Sequence, residues 1–109
     1  MFARNVSIQL KPAMLNDYNQ IFTAEVLPML RKQKGFQGEL SFCNPNSLDL
    51  TVISLWDTRE HADLYGNNAY AEVVKLMARA VNGTPKVRGE EVVHSSFMPS
   101  MIEPVAAVA

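Results

Sequence analysis

The chain has 109 residues, enough for one domain and too few for two ordinary ones. Hydrophobic residues make up 48% and charged residues 19%, a balance that excludes a disordered chain. The formal net charge of −1 gives no electrostatic case for nucleic acid or an anionic membrane surface. Scaling of folded surface with chain length predicts that about two-thirds of the unfolded surface is buried, so a core can form without staples. The single cysteine, Cys43, excludes an intrachain disulfide and a cysteine-paired zinc site. Met1 to Leu10 has no apolar h-region, so no signal peptide is expected and a cytoplasmic location is the default.

Val6, Ile8 and Leu10 alternate with Ser7, Gln9 and Lys11, the period of a first strand, and Pro12 stops it. From Met14 the period becomes helical: Met14, Leu15, Tyr18, Ile21, Phe22, Val26 and Met29 share one stripe. Pro28 removes the donor that would reach the Ala24 carbonyl and predicts a kink, and Gly35 is the stop. Phe36, Gly38, Leu40 and Phe42 alternate as a second strand, and Asn44-Pro45-Asn46-Ser47 is a hairpin turn. The third strand, Leu48 to Trp56, is apolar on both faces, so neither face is expected to see water.

Asp57-Thr58-Arg59-Glu60 reads as a capping box with Asp57 at the cap, opening a short helix through Tyr65. Gly66-Asn67-Asn68 breaks it, and a second stripe runs Tyr70, Val73, Val74, Met77 and Val81. Asn82-Gly83-Thr84-Pro85 then ends the helical region, and Val87 to Met98 is expected as a long final strand. Residues 1–98 thus form one domain and residues 99–109 a tail or arm. The order β-α-β-β-α-β is the split βαβ arrangement of a ferredoxin-like α+β fold with a four-stranded antiparallel sheet. Its helices cover one sheet face. The doubly apolar third strand predicts that the other face is covered by a second copy, sheet to sheet, in a homodimeric α+β barrel.

Seven side chains attract attention for chemistry. His61 is either a general base titrating in the working range or a packing residue against Trp56. His94, expected in the last strand beside Val92 and Ser96, is either a proton acceptor facing an enclosed pocket or a hydrogen-bonding group at the dimer seam. Trp56 can line a pocket for an aromatic ligand or fill the core with one donor to satisfy. Tyr65 flanks the helix break with Tyr70, while Tyr18 and Phe22 face the sheet and would wall any cavity. The five scattered glycines form no phosphate loop, and two histidines without a carboxylate cluster make no metal site. An RNA-recognition domain would need paired aromatics in the third strand, and Leu48 to Leu55 has none.

Three stretches carry a resemblance: Val6-Ser7-Ile8-Gln9-Leu10-Lys11-Pro12, Gly35-Phe36, and Ile53-Ser54-Leu55-Trp56-Asp57 running into Thr58-Arg59-Glu60-His61-Ala62. Through them the chain resembles the antibiotic biosynthesis monooxygenase-like superfamily of dimeric α+β barrels over residues 3 to 98. The resemblance implies a small-molecule pocket between helices and sheet. It further implies cofactor-independent oxidation of a quinol-like aromatic, in which the protein supplies shape, orientation and a proton acceptor. His94 and His61 are the residues for that acceptor, and Trp56, Tyr65, Tyr18, Phe22 and Asn5 those for the substrate. The superfamily's haem-degrading branch does not transfer: its haem-touching tryptophan falls near Tyr65 and its iron-ligating histidine near Lys75. Asn5 matches that branch's strand asparagine only after a one-residue slip, which exchanges the faces of the strand. The expectation is therefore a small-molecule-binding homodimer, an oxidoreductase where it is catalytic, needing neither cofactor nor metal. The competing expectation is a non-enzymatic ligand-binding or stress-associated dimer.

Overall fold

A computed structural model describes residues 1–97. Strand β1 (Phe2–Leu10) leads into helix α1 (Leu15–Ile21), a π-helical turn (Phe22–Val26) and helix α2 (Leu27–Arg31). Strands β2 (Phe36–Asn44) and β3 (Asp49–Trp56) form a hairpin, followed by helices α3 (Arg59–Asn67) and α4 (Tyr70–Met77) and by strand β4 (Val81–Glu91). The sheet order is β2-β3-β1-β4 with every neighbouring pair antiparallel, the ferredoxin-like arrangement expected from the element order. Among the described residues no helix is long and apolar enough to cross a membrane.

Alternation decides the two faces of the sheet. Phe2, Arg4, Val6 and Leu10 of β1 are buried towards the helices, while Ala3, Asn5, Ser7 and Gln9 point the other way. On β3, Leu50, Val52, Ser54 and Trp56 join them, and Thr51, Ile53 and Leu55 take the opposite face. The core cluster lies between sheet and helices, with Tyr18, Phe22, Val26 and Leu30 on the first helical run and Ala62, Tyr65, Val73 and Met77 on the second. The first run widens into its π-helical turn just before Pro28, which has no N–H for the Ala24 carbonyl.

Three expected boundaries move. Helix α3 runs on through Gly66 and Asn67, so the break falls at Asn68-Ala69 rather than after Tyr65. The cap of α3 is Thr58, not Asp57: the Thr58 side chain accepts from the His61 backbone N–H at 3.2 Å, while Asp57 is engaged elsewhere. The last strand begins at Val81 and ends at Glu91 instead of running from Val87 to Met98. It starts early because Gly83-Thr84-Pro85 forms a bulge opposite Ile8, on an edge strand where proline's missing N–H costs no ladder bond. It stops early because its partner runs out: Phe2 faces Glu91, and the Met1 carbonyl takes the Val92 N–H at 2.9 Å. Met98, the expected strand end, and the expected tail from residue 99 onward lie outside the described residues.

Candidate functional site

A cavity of about 140 Å³ lies between the helix-facing side of the sheet and both helical runs. That volume is close to the roughly 150 Å³ apolar cavity that holds a benzene ring in an engineered protein. Its walls are mainly aliphatic, from Val6, Ile8, Val52, Val73 and Met77, with Phe22 and Val26 contributed by the π-helical turn. Ala78 and Gly83 in its wall are exposed, which leaves that side open to solvent. A half-buried cleft of this kind, apolar with a few polar groups, is the usual form of a small-molecule site.

The polar side chains of the lining are few: Arg4, Ser54, Tyr18, Tyr65 and Tyr70. Arg4 is 9% exposed and its guanidinium lies over two tyrosine rings, 4.7 Å from the Tyr70 centroid and 5.3 Å from that of Tyr65. It presses on Gly66 in the last turn of α3, where any Cβ would collide with its terminal nitrogen. Nε of Arg4 is buried with no hydrogen-bond partner, and among the described residues the guanidinium forms no ion pair. Burial pushes the Tyr65 hydroxyl up to about 12 although the Arg4 charge pulls the other way, and the same two causes leave Tyr70 raised. Burial, with the nearby Glu39 carboxylate, raises Tyr18 as well. All three tyrosines are therefore neutral O–H groups near pH 7.

Of the residues expected at a substrate site, Tyr65, Tyr18 and Phe22 line the cavity, with Tyr18 and Phe22 stacked at 5.9 Å. Trp56 does not. It is fully buried behind Tyr65, stacked on it at 4.9 Å, and its Nε1–H donates to the Ser54 hydroxyl at 2.9 Å. Trp56 thus backs the cavity wall. Asn5 lies on the opposite sheet face, between Ile53 and Arg88, because β1 alternates and the cavity takes the even-numbered residues.

Neither histidine lines the cavity. Nδ1 of His61 is 2.6 Å from Asp57 Oδ1, at the junction of β3 and α3. His94 is exposed three residues past the end of β4, since the strand ends earlier than its sequence suggests. Arg4, Ser54 and the contact of Tyr70 with Arg4 went unread in the sequence. The available signal was one charged residue, Arg4, breaking the apolar set Phe2, Val6, Ile8 and Leu10 on an inward strand face. Among the described residues, no group of three or more His, Cys, Asp or Glu side chains is placed to hold a metal ion.

No protein-family model matches the sequence, and neither does any curated protein. Solved structures do match in three dimensions. A putative antibiotic biosynthesis monooxygenase from Bordetella bronchiseptica superposes with a TM-score of 0.71 at 20% identity, over 85% of this chain and 97% of that one. A monooxygenase from Streptomyces coelicolor, the product of the gene ActVA-Orf6 in complex with nanaomycin D, gives a TM-score of 0.73 at 16% identity, over 89% and 91%. SnoaB, a cofactor-independent oxygenase from Streptomyces nogalater, gives 0.70 at 9% identity, over 87% and 95%. The fold is the antibiotic biosynthesis monooxygenase-like fold. At these identities the likeness extends to architecture. Ile53 to Ala62, which carried the resemblance in the sequence, form the joint of β3 and α3.

Proposed function

We propose that the protein binds a small aromatic molecule between its helices and sheet and oxidises it with dioxygen, without a cofactor. The observation that carries this reading is the cavity, apolar on most of its wall and bordered by tyrosine hydroxyls and one guanidinium. Its fold is that of SnoaB, described as a cofactor-independent oxygenase, and of the nanaomycin-bound Streptomyces coelicolor monooxygenase.

In the proposed reaction a quinol-like hydroxyaromatic with a ring C–H para to its oxygen supplies both electron pairs that dioxygen takes up. One oxygen atom becomes the new ring carbonyl and the other leaves as water, so the balance closes on substrate and dioxygen alone. The protein's share is to hold the ring in one orientation and keep water from its faces. His61 and His94 do not reach the cavity within one chain. In this reading His94 serves as proton acceptor only if a second copy brings its exposed ring to the mouth. That second copy is proposed to cover the sheet's far face, where Leu40, Phe42 and Ile53 gather.

The test is oxygen uptake on a panel of one- and two-ring hydroxyaromatics. One dioxygen should be consumed per quinone formed, and Val74→Phe, which fills the cavity from its wall, should lower turnover at least tenfold, or about 1.4 kcal/mol of barrier. A binding role without catalysis has one observation in its favour, that no histidine or carboxylate lines the cavity. Retained aromatic binding with no oxygen uptake above a protein-free control would decide for it.

A further inference from the structure

The polar inventory of the cavity is one-sided in charge. Arg4 can only donate, and the three tyrosines are neutral O–H groups. Ser54 accepts from Trp56 and keeps its own proton to give. No carboxylate, carboxamide or imidazole lines the site, so the side chains there sum to one positive charge. A guanidinium is costly to bury without a counter-charge, and folded proteins ordinarily pair one. Here two tyrosine faces hold the cation in place and leave its Nε donor empty. The two rings, set edge to face with each other, fix the cation's orientation without supplying an acceptor, so no protein partner uses up its hydrogen-bonding capacity.

We infer that the cavity selects aromatic ligands carrying a single negative charge on oxygen, as phenolates or aryl carboxylates do, and seats that oxygen against Arg4. The inference rests on the cavity being the ligand site and adds the ionisation state and anchoring residue. The aliphatic walls take the ring, and the planar fork takes an oxyanion better than a point charge would. Turnover and plain binding make the same demand, so the charge preference holds for either.

The test uses 4-nitrophenol, whose phenol and phenolate forms absorb differently, with its uncharged methyl ether 4-nitroanisole. Bound to the protein, 4-nitrophenol should ionise about one pH unit lower than in solution, a roughly tenfold preference for phenolate. Arg4→Met keeps the apolar stem and should abolish that shift while binding 4-nitroanisole at least as tightly. Arg4→Lys keeps the charge without the fork and should retain part of the shift, so a folding failure of one variant leaves the other to decide. A bound probe that titrates as the free probe does, or a shift that survives Arg4→Met, overturns the inference. If 4-nitroanisole alone binds, the charge preference falls and the cavity reading stands; if neither probe binds, both fall.

Discussion

The Asp57 carboxylate and the His61 ring meet across the first turn of α3, Oδ1 to Nδ1 at 2.6 Å, and both lie over Gly35 at the end of the preceding loop. The Asp57 backbone N–H donates to the Gly35 carbonyl at 2.8 Å, and the same Oδ1 accepts from the Thr58 N–H at 2.7 Å. One pair of side chains thus ties the exit of the first helical run, the end of β3 and the start of α3. The histidine read in the sequence as a base or a packing residue is hydrogen-bonded to Asp57 in the structure.

The Asp57–His61 pair predicts a specific acid response. The hydrogen bond from His61 is the main cause of the Asp57 carboxyl titrating below the ordinary carboxylate range. A carboxyl depressed in the folded state binds its proton more readily in the unfolded chain, so stability rises with pH between the two values. Its contribution is complete above the unfolded value of about 3.9 and is lost as pH falls through the folded one. Asp57→Asn should therefore be less stable than wild type at neutral pH, with the gap closing at the acid end. Urea midpoints across the acid range check this, and a gap that widened towards low pH would contradict it.

Gly35 carries the second prediction. Its φ of +86° is left-handed, and a Cβ there would lie 2.6 Å from His61 Nδ1 and collide with the Asp57 carboxylate. Gly35→Ala should cost about 2–4 kcal/mol, the strained φ and the displaced pair acting together. Gly83 has a φ of +77° with open space at its Cβ, so Gly83→Ala isolates the backbone term at about 1 kcal/mol. Equal losses at the two positions, measured by chemical denaturation, would show that the Asp57–His61 pair contributes nothing at Gly35.

The third prediction concerns the far face of the sheet. Phe42 is 54% exposed and Leu40 41%, both on β2 beside Thr51 and Ile53 of β3. Aromatic and aliphatic side chains on an open sheet face form the kind of patch that a partner covers. Under the proposed sheet-to-sheet association, Phe42→Glu should convert a dimer to a monomer in sedimentation velocity with its circular dichroism unchanged. Wild-type protein sedimenting as a monomer at micromolar concentration would refute the association.

Much of the architecture was legible in the chain because its signals are local. The switch from a period of two at Val6–Leu10 to a helical period at Met14, and the interruption signalled by Gly66-Asn67-Asn68 and found at Asn68-Ala69, each depend on residues within a turn of one another. The last strand was misjudged for the opposite reason. Asn82-Gly83-Thr84-Pro85 reads as a loop, yet pairing with β1 draws it into a bulged edge strand, and the beginning of β1 sets where pairing ends. His94 left its expected strand by that same rule.

By itself, the sequence determined the order of elements, the ferredoxin-like class and the alternating faces of β1 and β3, since each follows from the spacing of apolar residues along a few turns or strands. Only the tertiary structure decided what the site contains. Arg4, Ser54, Tyr65 and Tyr70 come from a strand, a second strand and two helices, and they meet only after antiparallel pairing sets β1 beside β3 and both helical runs close over one face. No local period records such a meeting. The burial of a lone guanidinium against two tyrosine rings is a property of the assembled fold.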